Sequence, residues 1–184
     1  MESSAHAVAG SAFDTIFSAW ARRAVDPIIT PTSTRSVRGQ TRTKKADISW
    51  SPRDMPNGLS HKWPTFVGEV AWSERRTKLH EDMKFWLDDP NSTVNAAITI
   101  SILREKIMVE SWERGNDKPP SPTQRIEILR NPRPGCSRIN GRLEIQFSDV
   151  CLRDARAGES NFILTETDMA ELAGHIWTYQ YPTG

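Results

Sequence analysis

The feature that most constrains this chain is an acidic residue inside an apolar segment. Residues 63–87 read WPTFVGEVAWSERRTKLHEDMKFWL, a pattern that predicts a buried strand over 65–72 running directly into an amphipathic helix. Glu69 lies within that strand, and burying a carboxylate is costly unless it is paired or bound to a cation. The segment therefore predicts a functional or structural partner for Glu69 elsewhere in the chain.

A second acid, Asp47, occurs upstream in the segment KKADISW. Alternation over residues 45–50 predicts a strand with Lys45, Asp47 and Ser49 on one face. Two carboxylates on neighbouring strands suit a hard divalent cation such as Mg²⁺ or Mn²⁺, which can activate water and stabilise developing charge. An ordinary interpretation stays open: Asp47 could pair with Lys45, and Glu69 could lie at a strand end facing water.

Hydrophobic periodicity predicts helices and further strands around this pair. A first helix is expected over residues 11–25, after a disordered lead-in over 1–10. The continuous apolar run 94–103 predicts a strand buried on both faces, and the intervening helix should make it parallel to strand 65–72. The remaining predicted elements are an edge strand at 35–38, a strand at 106–112, an added β ribbon formed by 125–129 and 142–147, a short strand at 162–164, and a closing helix over 168–179 that Thr165 caps.

Length and composition fit one globular domain. The 184 residues can bury a core, and we assign a single domain to 11–184, with its core at 38–112 and a β-rich extension at 123–184. A net charge of +1 gives no overall attraction to polyanions. Only two cysteines, no apolar run near the ~20 residues of a membrane span, and acids at Glu2 and Asp14 predict an intracellular protein of the cytoplasm or nucleus, neither secreted nor membrane-spanning.

One segment is strongly basic although the chain is not. Arg35, Arg38, Arg42, Lys44 and Lys45 fall within eleven residues that contain no acid. Leading into Asp47, such a run predicts contacts with a nucleic-acid backbone. A solvated loop is the alternative. Stacking on bases is a further hypothesis for Trp63 and Trp72, although aromatic residues at strand ends more often cover a core.

The text KKADISWSP…KWPTFVGEVAWSE…LHEDMKFWL…AITISI resembles the PD-(D/E)XK restriction-endonuclease-like superfamily. More closely it resembles a group of fungal proteins of that type, and more distantly the Uma2-like branch. The resemblance spans roughly residues 38–112 and implies an α/β fold with a mixed-sheet αβββαβ core. It implies that Asp47 and Glu69 bind Mg²⁺ or Mn²⁺, that the substrate is nucleic acid (DNA more than RNA), and that a homodimer forms.

The sequence departs from the superfamily pattern at one position. The lysine two residues after the glutamate, which positions the attacking water in the family, is replaced by Ala71. Lys45 and Lys84 are the candidates to replace that lysine as catalytic residues, with Lys45 favoured because it shares the predicted strand face of Asp47.

Two functions therefore follow from the sequence. One is a metal-dependent nuclease that hydrolyses phosphodiester bonds, favoured by the retained acid pair. The other is an inactive descendant that binds nucleic acid or a protein partner, favoured by Ala71. Four further residues have weaker claims to a role: Asp14 as an additional acid, His61 and His80 as general bases, and Ser73 as a nucleophile, although capping a helix explains Ser73 better.

Overall fold

The computed structural model describes residues 4–23, 29–33, 35–56, 58–72, 76–115 and 119–181. Ser73, predicted to cap a helix, lies outside these residues. The chain forms the following elements in order: α1 (Ser4–Ala21), β1 (Ile29–Pro31), β2 (Ser36–Arg38), β3 (Thr43–Lys45), β4 (Ile48–Pro52), β5 (Phe66–Trp72), α2 (Arg76–Asp88), β6 (Ala96–Ile102), β7 (Lys106–Glu113), β8 (Pro122–Leu129), β9 (Leu143–Ile145), α3 (Phe147–Cys151), β10 (Phe162–Leu164) and α4 (Glu166–Gln180).

A six-stranded sheet in the order β1-β4-β5-β6-β7-β8 forms the centre of the fold. Strands β5 and β6 are parallel, in a register that pairs Phe66 with Ala96 and Glu69 with Thr99, which confirms the predicted crossover. The other neighbours in this sheet are antiparallel. Every residue of β6 is buried, as its unbroken apolar sequence predicts for a strand covered on both faces. The mixed α/β architecture is thus the predicted one.

The two sheet faces carry different cores. Helices α1 and α4 cover one face, where Phe17 packs against Trp50 and Phe66 with ring centroids 4.2 and 4.8 Å away. Helix α2 covers the other face, where Met83 and Trp86 belong to a smaller core. Because side chains alternate along β5, its even-numbered residues face α1 and its odd-numbered residues, including Glu69, face α2.

Helix α1 begins earlier than the sequence predicts. The region 4–10, expected to be a disordered lead-in, is helical, and Ala5 and Ala9 are buried in the main core. Small residues give almost no hydrophobic periodicity, so a helix that packs closely through alanine resembles a flexible lead-in at the sequence level. The closing helix matches its prediction: Thr165 forms a capping box with Asp168.

The predicted ribbon of 125–129 and 142–147 is wrong in its pairing. Strand β8 instead extends the central sheet by pairing with β7, and β9 pairs with β10 in a separate two-stranded sheet. Phe147, expected in a strand, begins the short helix α3, where it is buried. Alternation identifies a strand but does not identify its neighbour, which tertiary packing decides.

The predicted strand over 45–50 is also divided in two. Strand β3 ends at Lys45, a bend follows, and β4 begins at Ile48. Strands β2 and β3 form a two-stranded antiparallel hairpin that shares no ladder with the six-stranded sheet. The bend means that Lys45 and Asp47 do not lie on one face of a continuous strand.

Candidate functional site

Glu69 lies in the core between β5 and α2. Its side chain is 5% exposed, and its Oε1 accepts a hydrogen bond of 2.6 Å from the indole Nε1 of Trp86. The same oxygen lies 3.0 Å from the ammonium of Lys44. The requirement that a buried carboxylate be paired is therefore met by this chain itself.

Lys44 also contacts a second buried acid, Asp82, which lies on α2. Its Nζ is 3.0 Å from Oδ2 of Asp82, and the other oxygen of Asp82 accepts a hydrogen bond of 3.0 Å from Arg42. We call Arg42, Lys44, Glu69, Asp82 and Trp86 the buried acidic cluster. It links β3, β5 and α2, and the sequence did not reveal it because Asp82 occupies an unremarkable position in an amphipathic helix.

The protonation of this cluster depends on burial and on the single ammonium that faces two carboxyl groups. Burial raises the pKa of Glu69 to about 8, and Lys44 offsets only part of that shift. Burial alone would lower the pKa of Lys44, but Glu69 and Asp82 outweigh it and raise that pKa. Lys44 is therefore cationic, and Glu69 holds a proton over most of the neutral range.

Asp47 occupies a different setting, at the point where β4 no longer runs beside β5. Strand pairing ends at Ile48 and Gly68, so Val70 lacks a backbone partner on that side. The Oδ2 of Asp47 accepts a hydrogen bond of 2.7 Å from the Val70 amide, and Nε2 of His6 lies 3.0 Å from the Val70 carbonyl oxygen and 3.3 Å from Asp47. Since both neighbours accept, Nε2 carries the hydrogen. These two side chains complete the edge of β5.

Burial works to raise the pKa of Asp47, but the hydrogen bonds from His6 and Val70 outweigh it and lower that pKa. Asp47 is therefore ionised at neutral pH, whereas Glu69 is largely protonated. Neither carboxylate adopts the ordinary arrangement considered from the sequence, since Asp47 contacts His6 rather than Lys45 and Glu69 does not face water.

The structure brings Asp47 and Glu69 close enough for their charges to interact, yet the two carboxylates engage different partners. Asp47 contacts α1 through His6, whereas Glu69 contacts α2 through Trp86. Among the described residues, no group of three or more His, Cys, Asp or Glu side chains could hold a metal ion. The ammonium of Lys44 already supplies a positive charge beside Glu69.

The two lysines proposed to replace the missing motif lysine lie in different places. Lys45 lines a cavity of about 460 Å³ together with Asp47 and His6. Lys84, exposed on α2, lines a separate depression of about 390 Å³. Only Lys45 shares a cavity with one of the two predicted metal ligands.

The predicted nucleic-acid contacts divide into two groups. Arg42 and Lys44 belong to the buried acidic cluster, whereas Arg35 and Arg38 line an open groove of about 810 Å³. Its other lining residues are Ser36, Ser60, His61, Lys62, Trp63, Asn91 and Thr93. We call this feature the basic groove, because three cationic side chains and a histidine meet there without a carboxylate among the described lining residues.

His61 and Lys62 in this groove were missed as phosphate contacts because they follow a Pro/Gly loop far from the basic run. Two of the other minor candidates pack against aromatic side chains. Trp63 is buried against Phe85, and the ring of His80 packs edge-on against Trp112. Trp72, at 40% exposed, remains accessible.

No family model and no curated protein matches this chain. Among solved structures, it is similar to a protein from Anabaena variabilis ATCC 29413 described as "a putative nuclease belonging to DUF820". The TM-score is 0.46 with 13% identity, and the match covers 66% of this chain and 68% of that one. A likeness at this level assigns neither ancestry nor activity.

Within the described part of the chain, no helix has the length and apolar character needed to cross a membrane.

Proposed function

We propose that this protein binds nucleic acid through the phosphate backbone, and that the basic groove is the binding surface. The observation that carries the proposal is the convergence of Arg35, Arg38 and Lys62 on one groove with no acidic lining residue among those described. All three are exposed, and none forms an ion pair with another described residue. Cations that are not neutralised internally are available to phosphate.

Local clustering matters here because the net charge is only +1. Binding should depend on the groove and should be sensitive to salt, since each neutralised phosphate releases counterions. Three cations predict a slope of about −2 to −3 for log K against log salt. The side chain of Asn91 adds an uncharged hydrogen-bonding group, as is usual at backbone contacts.

The experiment is a binding titration with labelled single-stranded DNA, duplex DNA and RNA of one sequence. Arg35→Ala combined with Arg38→Ala should weaken binding and reduce the salt slope by about 2. Arg104→Ala is the matched control, because that side chain is 89% exposed and lines no wall of the groove. Equal losses in both variants would contradict the assignment. The sequence prediction that DNA is preferred over RNA is tested by the same titration.

A second candidate is the metal-dependent nuclease, with Asp47 and Glu69 as ligands of Mg²⁺ or Mn²⁺. One observation favours it: Asp47 is ionised and shares a cavity with Lys45. Against it stand Ala71 and the pairing of Glu69 with Lys44. Cleavage of any of the three substrates that requires the metal and disappears in Glu69→Gln would establish the enzyme. Sizing the protein with and without nucleic acid tests the predicted homodimer.

A further inference from the structure

The hairpin of β2 and β3 is attached to the rest of the fold by side chains. Its strands pair with each other and with no strand of the central sheet. Val37 and Ala46 anchor it in the core under α2. At its turn, the backbone N–H of Gln40 donates a hydrogen bond of 2.8 Å to the Asp89 carboxylate. A two-stranded hairpin is marginally stable on its own, so these attachments decide where it lies.

The strongest attachments converge on Asp82 of α2. Two cations of the hairpin contact its carboxylate: Lys44 Nζ lies 3.0 Å from Oδ2, and Arg42 Nη2 lies 3.0 Å from Oδ1. Arg42 also donates to the carbonyl oxygen of Glu81 over 2.9 Å, and its guanidinium lies 5.1 Å from the ring centroid of Phe85. Asp82 is buried, and Lys44 is only 13% exposed, so the bond between them is shielded from water, whereas Arg42 is 39% exposed.

The same hairpin carries one wall of the basic groove. Arg38 lies within β2, and Arg35 immediately precedes it. The opposite wall, with His61 and Lys62, belongs to the loop before β5. The spacing of the two walls therefore depends on how the hairpin is held against α2.

We propose that Asp82 is a positioning residue for the basic groove: by holding Lys44 and Arg42 it fixes the hairpin and thereby aligns Arg35 and Arg38 with Lys62. This inference rests on the proposed function of the groove. It gives the buried acidic cluster a task in binding that requires neither a metal nor contact between Asp82 and the nucleic acid.

The direction in which one substitution changes the affinity for nucleic acid separates this role from a general charge effect. Asp82→Asn removes a negative charge, which by itself should strengthen binding to a polyanion. If Asp82 positions the hairpin, the same substitution should instead weaken binding by roughly three- to tenfold, the scale of two partly exposed ion pairs. It should also lower the salt slope by about 1, since misplaced arginines neutralise fewer phosphates.

The experiment combines Asp82→Asn with Arg35→Ala and Arg38→Ala in a mutant cycle. The full chain is titrated with labelled DNA, and hydrogen exchange is measured at Ser36–Arg38 and Thr43–Lys45. Asp82→Asn should weaken binding in the wild-type background and cause no further loss of affinity in the Arg35→Ala/Arg38→Ala background. Hydrogen exchange should become faster only in the hairpin. Glu81→Gln is the control: it removes the neighbouring, exposed carboxylate and should leave the hairpin and the slope unchanged.

Unchanged or tighter binding by Asp82→Asn would overturn the positioning role, as would an equal loss of affinity in both backgrounds. If the wild-type protein fails to bind nucleic acid, the proposed function fails, and hydrogen exchange alone then judges whether Asp82 holds the hairpin. Should Asp82→Asn not fold, Arg42→Gln removes one of the same bonds at a partly exposed side chain; because it also removes a cation, the mutant cycle and hydrogen exchange at the hairpin, rather than the sign of the change in affinity, then decide the question.

Discussion

The two acids that the sequence singles out lie side by side and yet have opposite surroundings. Glu69 is enclosed by Lys44 and Trp86 on the α2 face, and burial raises its pKa to about 8. Asp47 completes the free edge of β5, and donors lower its pKa. One carboxyl group is thus held neutral by burial and the other is held charged by hydrogen bonds. Two acids on neighbouring segments of one sheet can therefore each be satisfied by partners within the chain.

The largest expected effect comes from removing the cation that Glu69 and Asp82 share. Lys44→Met should lower the free energy of unfolding by about 3–5 kcal/mol, the usual cost of leaving one side of a buried pair without its partner. Urea denaturation measures this. Lys78→Met, an exposed lysine on α2, is the control and should change stability little. Adding Asp82→Asn to Lys44→Met should recover part of the loss, and an absence of any recovery would show that Lys44 acts mainly through packing.

A smaller effect is expected at Asp47. Asp47→Ala removes the acceptor for the Val70 amide and should cost about 1–3 kcal/mol, the penalty of an unsatisfied buried donor. The comparison with Asp54→Ala, at a side chain 77% exposed, isolates the contribution of the β5 edge. If Asp47→Ala is as stable as the wild type, water accepts from the Val70 amide in its place, and Asp47 is available for another role.

The pH dependence of stability should separate the two acids by sign. The pKa of Glu69 is raised on folding, so its contribution is fully present below its ordinary pKa of 4.5 and is lost as pH rises toward about 8. The pKa of Asp47 is lowered from 3.8, so its contribution is present above that value and is lost as pH falls further.

Glu69→Gln should therefore flatten the stability profile between about pH 5 and pH 8, where the wild type loses on the order of 1 kcal/mol per pH unit. It should leave the acid limb unchanged. Denaturant midpoints measured across this range check both statements. A steeper fall with pH in Glu69→Gln than in the wild type would contradict the protonated state assigned to Glu69.

The sequence predicted the parts of the fold whose signals are local. The apolar runs of β5 and β6, the periodic stripe of α2 and the cap at Thr165 all specify their own structure. The parallel pairing follows from the helix that connects the two strands. The pairing of β8 and β9 was wrong because alternation carries no information about partners. The helical residues before Ser11 were missed because alanine gives no periodic signal.

The candidate site was less predictable because its contacts join distant segments. Glu69 was identified by the cost of burying a carboxylate, which is a local argument. Asp82, which shares Lys44 with Glu69, is one of several acids on α2, and only the packing of α2 on β5 selects it. Lys62 likewise reaches the basic groove through a loop whose path the sequence does not specify. Assigning Arg42 and Lys44 to nucleic acid followed from charge density alone, which cannot distinguish cations facing solvent from cations facing a buried acid.

The smallest expected effect is that of adding a divalent cation, and it tests most directly whether Asp47 and Glu69 act together. Adding Mg²⁺ or Mn²⁺ should leave the thermal midpoint of the wild-type protein unchanged, because Lys44 already supplies the positive charge beside Glu69. A ligand that binds only the folded state raises stability by mass action, so a clear upward shift would restore the metal site that Asp47 and Glu69 predict. Lys44→Met sharpens the test: with the ammonium gone, Glu69 loses its cationic partner and Asp82 keeps only Arg42, and a divalent ion should then stabilise the variant. Stabilisation of the variant alone would show that the lysine and a metal are alternatives at one position, whereas stabilisation of neither would show that these acids serve the fold and the hairpin only.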